Sequence, residues 1–291
     1  MELPLVVGVD GSESSLQALD WSVDEAARHG VPLRLVYASK WEHYEGVALA
    51  GSLGRPDEQV LAENTVGSAA ERAGRRNADV KVSAVVLTDD PVAGLLRESR
   101  KASAVVTGSR GRGELRGLLL GSVGLTVAAR AHCPVIVVRG DKAALGSTHA
   151  RILLGVADTA GGRAAVTFAL REAETRGCIV EAVRAWRRPA HETTDHPMLA
   201  GDPARYHKER AVTLLDRVLG EFVRDNPAVQ VHRTTVEGPA HKVLVQRSAA
   251  ADLLVVGAQR RQGHFGLQLG RVAHAVLHHA DCPVAVVPQP V

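Results

Sequence analysis

Aromatic residues are scarce in this 291-residue chain: three each of Trp, Tyr and Phe, so a core must be built from Val, Leu and Ala. Cysteine is scarcer still. Cys133, Cys178 and Cys282 cannot all pair within one chain and form no CxxC, which predicts a reducing, cytoplasmic setting. No apolar run reaches the roughly 18 residues that a membrane span needs, so no membrane association is expected. Met1–Leu5 has no basic segment ahead of an apolar stretch, so no signal peptide is expected either. A net charge of +3 is no nucleic-acid footprint, although six lysines stand against 29 arginines. What remains is 45% apolar residues over a length that suits two domains.

The chain is written twice. Leu5-Val6-Val7-Gly8-Val9-Asp10 returns as Ile152-Leu153-Leu154-Gly155-Val156-Ala157 at an offset of 147. Ala104-Val105-Val106-Thr107-Gly108 returns as Leu253-Leu254-Val255-Val256-Gly257, and Cys133-Pro134-Val135 as Cys282-Pro283-Val284, both at 149. Three matches in the same order make the halves a duplication. The boundary falls in the polar stretch 140–149, giving domains 1–140 and 150–291.

Within a copy, short apolar runs alternate with helical stripes. Strands are expected at 5–9, 33–38, 80–87, 104–108 and 135–138, and helices at 12–29, 61–77, 91–101 and 122–131. Ser12 or Ser14 caps the first helix, Gly30 and Pro32 end it, and residues 40–58 read as a loop. Buried strands alternating with helices imply an α/β fold, a parallel sheet covered on both faces, with the second copy repeating the order.

Ligands of such sheets bind beyond the carboxyl ends of the strands. The loop after the fourth strand, residues 108–122, holds five glycines (108, 111, 113, 117 and 121), with Arg110, Arg112 and Arg116 among them. It ends in Gly121-Ser122 at a helix start. Backbone N–H groups unobstructed by Cβ atoms, a helix N-terminus and added positive charge suit a polyphosphate. A long surface loop with a Ser-capped helix is the other reading. No Gly-Lys-Ser/Thr follows, so the loop is not a Walker A loop.

The spacing Gly108-x2-Gly111-x9-Gly121-Ser122 resembles the nucleotide loop of the universal stress protein family. Val7-Gly8-Val9-Asp10-Gly11-Ser12 is similar to that family's first strand and turn, and Cys133-Pro134-Val135-Ile136-Val137-Val138 to its closing strand. The resemblance covers nearly the whole chain and implies two tandem Rossmann-like (adenine nucleotide alpha hydrolase-like) domains, each with a five-stranded parallel sheet. It also implies ATP as ligand, with Mg2+ arriving on the nucleotide. Asp10 would then contact a ribose hydroxyl or the base, Gly8 and Val9 would line the adenine pocket, and Ala38 would meet the adenine edge. Gly108, Gly111, Gly121, Ser122 and Val123 would hold phosphates and ribose, with Arg110 and Arg112 adding charge. Self-association is implied too: the two copies as an internal pseudo-dimer in contact through their closing strands, with homodimers of whole chains a further option.

The second copy departs from the pattern. Ala157 stands for Asp10, with Asp158 one position later, Arg260 for Gly111 and Gly270-Arg271 for Gly121-Ser122, so conventional ATP binding is expected of the first copy only. His274 and His278 are one helical turn apart, but no acid lies within that turn, and packed or solvated histidines are the better reading than a metal site. Neither nucleotide loop carries a Lys, and no Ser–His–Asp or paired-carboxylate spacing is visible. The functional expectation is therefore an ATP-binding stress-response regulator that is not an enzyme. A slow ATPase and a nucleotide-free scaffold are the competing readings.

Overall fold

The computed structural model describes residues 2–39, 57–111, 120–157, 161–188, 203–258, 261–263 and 266–288. The chain divides into two compact units, Met1–Arg139 and Gly140–Val291.

The first unit runs β1 (Leu5–Gly8), α1 (Glu13–His29), β2 (Leu33–Ala38), α2 (Asp57–Arg76), β3 (Val82–Leu87), α3 (Pro91–Glu98), a 3-10 turn (Ser99–Lys101), β4 (Ala104–Gly108), α4 (Ser122–Arg130) and β5 (Val135–Val138). Its strands pair in parallel in the order β3-β2-β1-β4-β5. The central strands are apolar without alternation because helices cover both faces: Val6, Val7, Val105, Val106 and Val137 are fully buried. Strand order reverses between β1 and β4, which opens a crevice at their carboxyl ends.

Helix α1 shows how the local sequence sets the fold. Its apolar stripe buries Ala18, Leu19, Val23 and Ala26. Ser12 is the N-cap, accepting the Ser15 N–H at 3.2 Å. Such a cap contributes about 1 kcal/mol. Gly30 closes the helix at φ 67°, a left-handed conformation that glycine adopts without a Cβ penalty.

The second unit contains α5 (Lys142–Leu145), β6 (Arg151–Gly155), α6 (Gly161–Arg176), β7 (Ile179–Trp186), α7 (Pro203–Asp225), β8 (Val231–Glu237), α8 (Ala240–Ser248) and β9 (Leu253–Gly257). There follow β10 (Arg261–Gly263), β11 (Gly266–Gln268), α9 (Arg271–His279) and β12 (Val284–Val287). The parallel order β8-β7-β6-β9-β12 repeats that of the first unit. Both are α/β sheets of the kind expected.

Several expectations are corrected. Val9 lies beyond β1, although its N–H still donates to the Val36 carbonyl at 2.9 Å. The third strand begins at Val82 rather than Val80, behind a turn in which Asn77 Oδ1 accepts the Asp79 N–H. Helix α3 stops at Glu98, and residues 99–101 tighten into a 3-10 turn where the Ser99 hydroxyl bonds back to the Leu96 carbonyl. The boundary stretch holds the short helix α5, capped by Asp141 accepting the Ala144 N–H at 2.9 Å. In the second copy an antiparallel hairpin, β10–β11, follows β9, and the matching residues of the first copy lie outside the described residues. The 40–58 loop lies mostly outside the described residues.

The copies also exchange charge at one equivalent place. Arg34 Nε donates to Glu98 at 2.7 Å in the first unit. At the matching positions of the second, Glu181 accepts from Arg247 and, at 3.0 Å, from Arg151. Cys133 and Cys282 are buried, as their matching positions before proline suggest. Among the described residues no helix is long and apolar enough to cross a membrane.

Candidate functional site

At the carboxyl ends of β1 and β4 a cavity of about 360 Å³ opens in the first unit. That volume lies at the lower end of the range for small-molecule sites. The end of β1 supplies Gly8, the turn after it Val9 and Asp10, and the end of β2 supplies Ala38. The loop after β4 contributes Gly108, Arg110 and Gly111, and the start of α4 contributes Gly121, Ser122 and Val123. The structure therefore gathers ten of the eleven expected residues around one space; Arg112, like Arg116, lies outside the described residues.

Asp10 is held by its own turn. Its Oδ1 accepts the Ser12 N–H at 2.9 Å and the Ser12 hydroxyl at 2.6 Å. Its Oδ2 lies 2.9 Å from where a Cβ on Gly111 would stand, so only glycine leaves that carboxylate oxygen its place. At Gly108 a Cβ would come within 2.6 Å of the Ser14 backbone carbonyl, closer than real contacts allow. Ser14 does not cap α1. Instead its hydroxyl donates to the Arg110 carbonyl and accepts the Arg110 N–H at 3.2 Å, tying the two loops together.

The start of α4 is open. Gly121 is the N-cap at φ −70°, ψ 149°, with no side chain bonded to the first turn. Its own N–H goes to the Ser109 carbonyl at 2.9 Å. The N–H groups of Ser122, Val123 and Gly124 thus begin a helix beside the cavity, where the dipole favours an anion. Val36, Leu95 and Leu120 give the cavity apolar walls.

Sequence reasoning missed Leu95, Leu120 and Thr107. Thr107 is 5% exposed on β4, lines the cavity, and its hydroxyl has no hydrogen-bond partner among the described residues. A buried unpaired hydroxyl carries a desolvation cost that a ligand or water relieves. The signal was a Thr in an otherwise apolar strand, where the second copy has Val256.

The second unit has a counterpart cavity of about 570 Å³, lined by Gly155, Val156, Ala157, Gly257, Gly270 and Arg271 among others. Ala157 and Arg271 occupy the places of Asp10 and Ser122, as read from the sequence. Arg260 and Asp158 lie outside the described residues. The rings of His274 and His278 sit 4.5 Å apart, and among the described residues neither belongs to a group of three metal-ligating side chains.

A family model described as the universal stress protein family matches residues 3–139 and again residues 149–288. A universal stress protein of Mycobacterium tuberculosis is 37% identical over 293 residues, covering 98% of this chain and 97% of that one. Another from Mycolicibacterium smegmatis is 30% identical over 295 residues, covering 98% and 97%. Among solved structures, a universal stress protein from Archaeoglobus fulgidus superposes with a TM-score of 0.72 at 19% identity, covering 99% of this chain and 98% of that chain. That last likeness bears on the fold.

Proposed function

The chain belongs to the universal stress protein family, and from that premise we propose that its first unit is an ATP-binding regulatory module while its second unit does not hold ATP in the same way. The observation that carries this reading is the pairing of Gly111 with Asp10: a glycine is needed where a Cβ would press within 2.9 Å of the carboxylate. The residues fit an adenine nucleotide. Val36 and Leu95 offer apolar walls for a flat base, and Ala38, which lines the same cavity, would meet its edge. Asp10 is the acceptor for ribose or base, and the N–H groups opening α4 with the Ser122 hydroxyl suit phosphate oxygens. Arg110 adds positive charge at the cavity rim, and Arg112 is assigned to the same role from its place in the loop.

Binding rather than turnover is supported by the acid–base inventory. Asp10 is the only carboxylate among the described lining residues, and one of its oxygens already accepts two hydrogen bonds from Ser12. That oxygen is already occupied by the Ser12 turn, and no lysine is among the described lining residues. Mg2+ belongs to this proposal as the ion carried by the triphosphate, with phosphate and water oxygens as most of its ligands. A stress-response role, a cytoplasmic setting and self-association of whole chains follow from family membership and complete the reading. The test is Gly111→Val, whose branched side chain would push into the cavity. It should abolish the thermal shift given by ATP while the far-ultraviolet spectrum stays unchanged, and an unaltered ATP shift would refute the assignment.

A further inference from the structure

The second unit keeps a cavity where the first has one, yet its lining has changed in one chemical direction. Ala157 removes the carboxylate, Val256 removes the buried hydroxyl of Thr107, and Arg271 puts a guanidinium where Ser122 stood. A second cavity of about 650 Å³ adjoins it, and the two share Ala185, Ala240, Arg271 and Val272. Together they are lined by no Asp or Glu among the described residues. The charged and titratable groups are Arg184, Arg187 and Arg271, with His241 and His274.

Two of those cations are placed by the fold. Arg184 Nη1 donates to the Val156 carbonyl at 3.1 Å, which fixes its guanidinium at the cavity wall. Arg271 is the first residue of α9, following the N-cap Gly270, whose side has no capping group. A cation at a helix N-terminus opposes the helix dipole. Among the described residues no carboxylate pairs with it, so an anion set between the guanidinium and the first-turn N–H groups would relieve that opposition from both sides. The remaining walls are apolar: Val183, Leu244 and Val272 in one cavity, and the half-buried Trp186 indole in the other.

We propose that the second unit binds an amphipathic small-molecule anion, an apolar body ending in one phosphate or carboxylate, in these adjoining cavities, with Arg271 holding the anionic end. A site of this kind needs no acid at the place of Asp10, where the second unit has Ala157. The inference goes beyond ATP binding by the first unit and stands whether or not that reading holds.

The experiment is calorimetric titration of full-length Gly111→Val, whose side chain is expected to obstruct the first cavity, with phenyl phosphate, benzoate and benzyl alcohol as probes. One or both anions should bind, with the tighter of the two identifying the preferred head group, and neutral benzyl alcohol should bind about ten-fold more weakly or worse. Adding Arg271→Ser, which installs the residue found at the matching helix start, should weaken the anion about ten-fold and leave benzyl alcohol unchanged. An unchanged melting temperature would show that this exposed substitution leaves the fold intact. Binding of no probe at millimolar concentration, equal binding of the neutral probe, or indifference to Arg271→Ser would overturn the proposal. So would displacement of phenyl phosphate by ATP at an affinity matching that of the first unit, since the cavity would then be an ordinary nucleotide site.

Discussion

Asp10 Oδ2 and Gly111 stand so close that a Cβ on the glycine would lie 2.9 Å from the carboxylate oxygen. Residues a hundred positions apart thus meet at the crevice between β1 and β4, one as the acid and the other as the space that acid needs. The obstacle to a Cβ is the end of a short side chain, so the acid can yield where a backbone atom could not. Gly111→Ala is therefore expected to cost less than about 1 kcal/mol of stability while displacing the carboxylate and weakening ATP. In an Asp10→Ala background the same substitution should no longer affect ATP, because the two changes act through one contact. Additive effects in a titration of the four proteins would break this link.

Gly108 and Gly121 behave differently although both belong to the loop motif. The Cβ of Gly108→Ala would meet the Ser14 backbone at 2.6 Å, whereas that of Gly121→Ala would find its nearest atom at 3.8 Å. The first substitution should lower stability by about 1–3 kcal/mol through overpacking. The second should leave the melting temperature nearly unchanged, since its Cβ meets no crowded atom, and should weaken ATP if the nucleotide approaches there as proposed. Denaturant melts beside ATP titrations separate the two, and equal destabilisation by both would contradict the assignment.

The charge-exchanged pairs predict unequal costs. The Glu181 side chain is 8% exposed and accepts from two arginines, whereas the Glu98 side chain is 17% exposed and, among the described residues, faces Arg34 alone. Glu181→Ala would remove the shared acceptor of two partly exposed guanidiniums and should cost about 2 kcal/mol; Glu98→Ala should cost about 1 kcal/mol. Urea denaturation of the two variants makes the comparison.

Burial pushes the Cys133 thiol up from its ordinary 9.0 to about 12. The folded state therefore keeps its proton where the unfolded chain loses it. The contribution to stability is fully present below pH 9 and falls as pH rises from about 9 toward about 12. At pH 8 a disulfide reagent should titrate at most one thiol in the native chain, that of half-buried Cys178, and all three after denaturation. Rapid modification of Cys133 in the native protein would refute this.

Much of this arrangement was legible in the sequence because it rests on local signals. Apolar runs such as Val135–Val138 mark buried parallel strands, Ser12 and Gly30 mark the ends of α1, and the glycine spacing marks the loop beside the cavity. The illegible parts arise from contacts between distant segments. Nothing near Ser14 announces that its hydroxyl bonds Arg110, 96 residues away, and nothing near Leu95 says that it walls the cavity. Helix α5 has four residues, too few to show a helical period. The hairpin β10–β11 has three-residue strands, too short for an alternating pattern to stand out.

The central claim is that one nucleotide site serves two copies of the fold. Calorimetric titration of the purified full-length chain with ATP in the presence of Mg2+ tests it most directly. One ATP per chain, falling to none in Gly111→Val, is the predicted result; two per chain, or one that survives Gly111→Val, would contradict it.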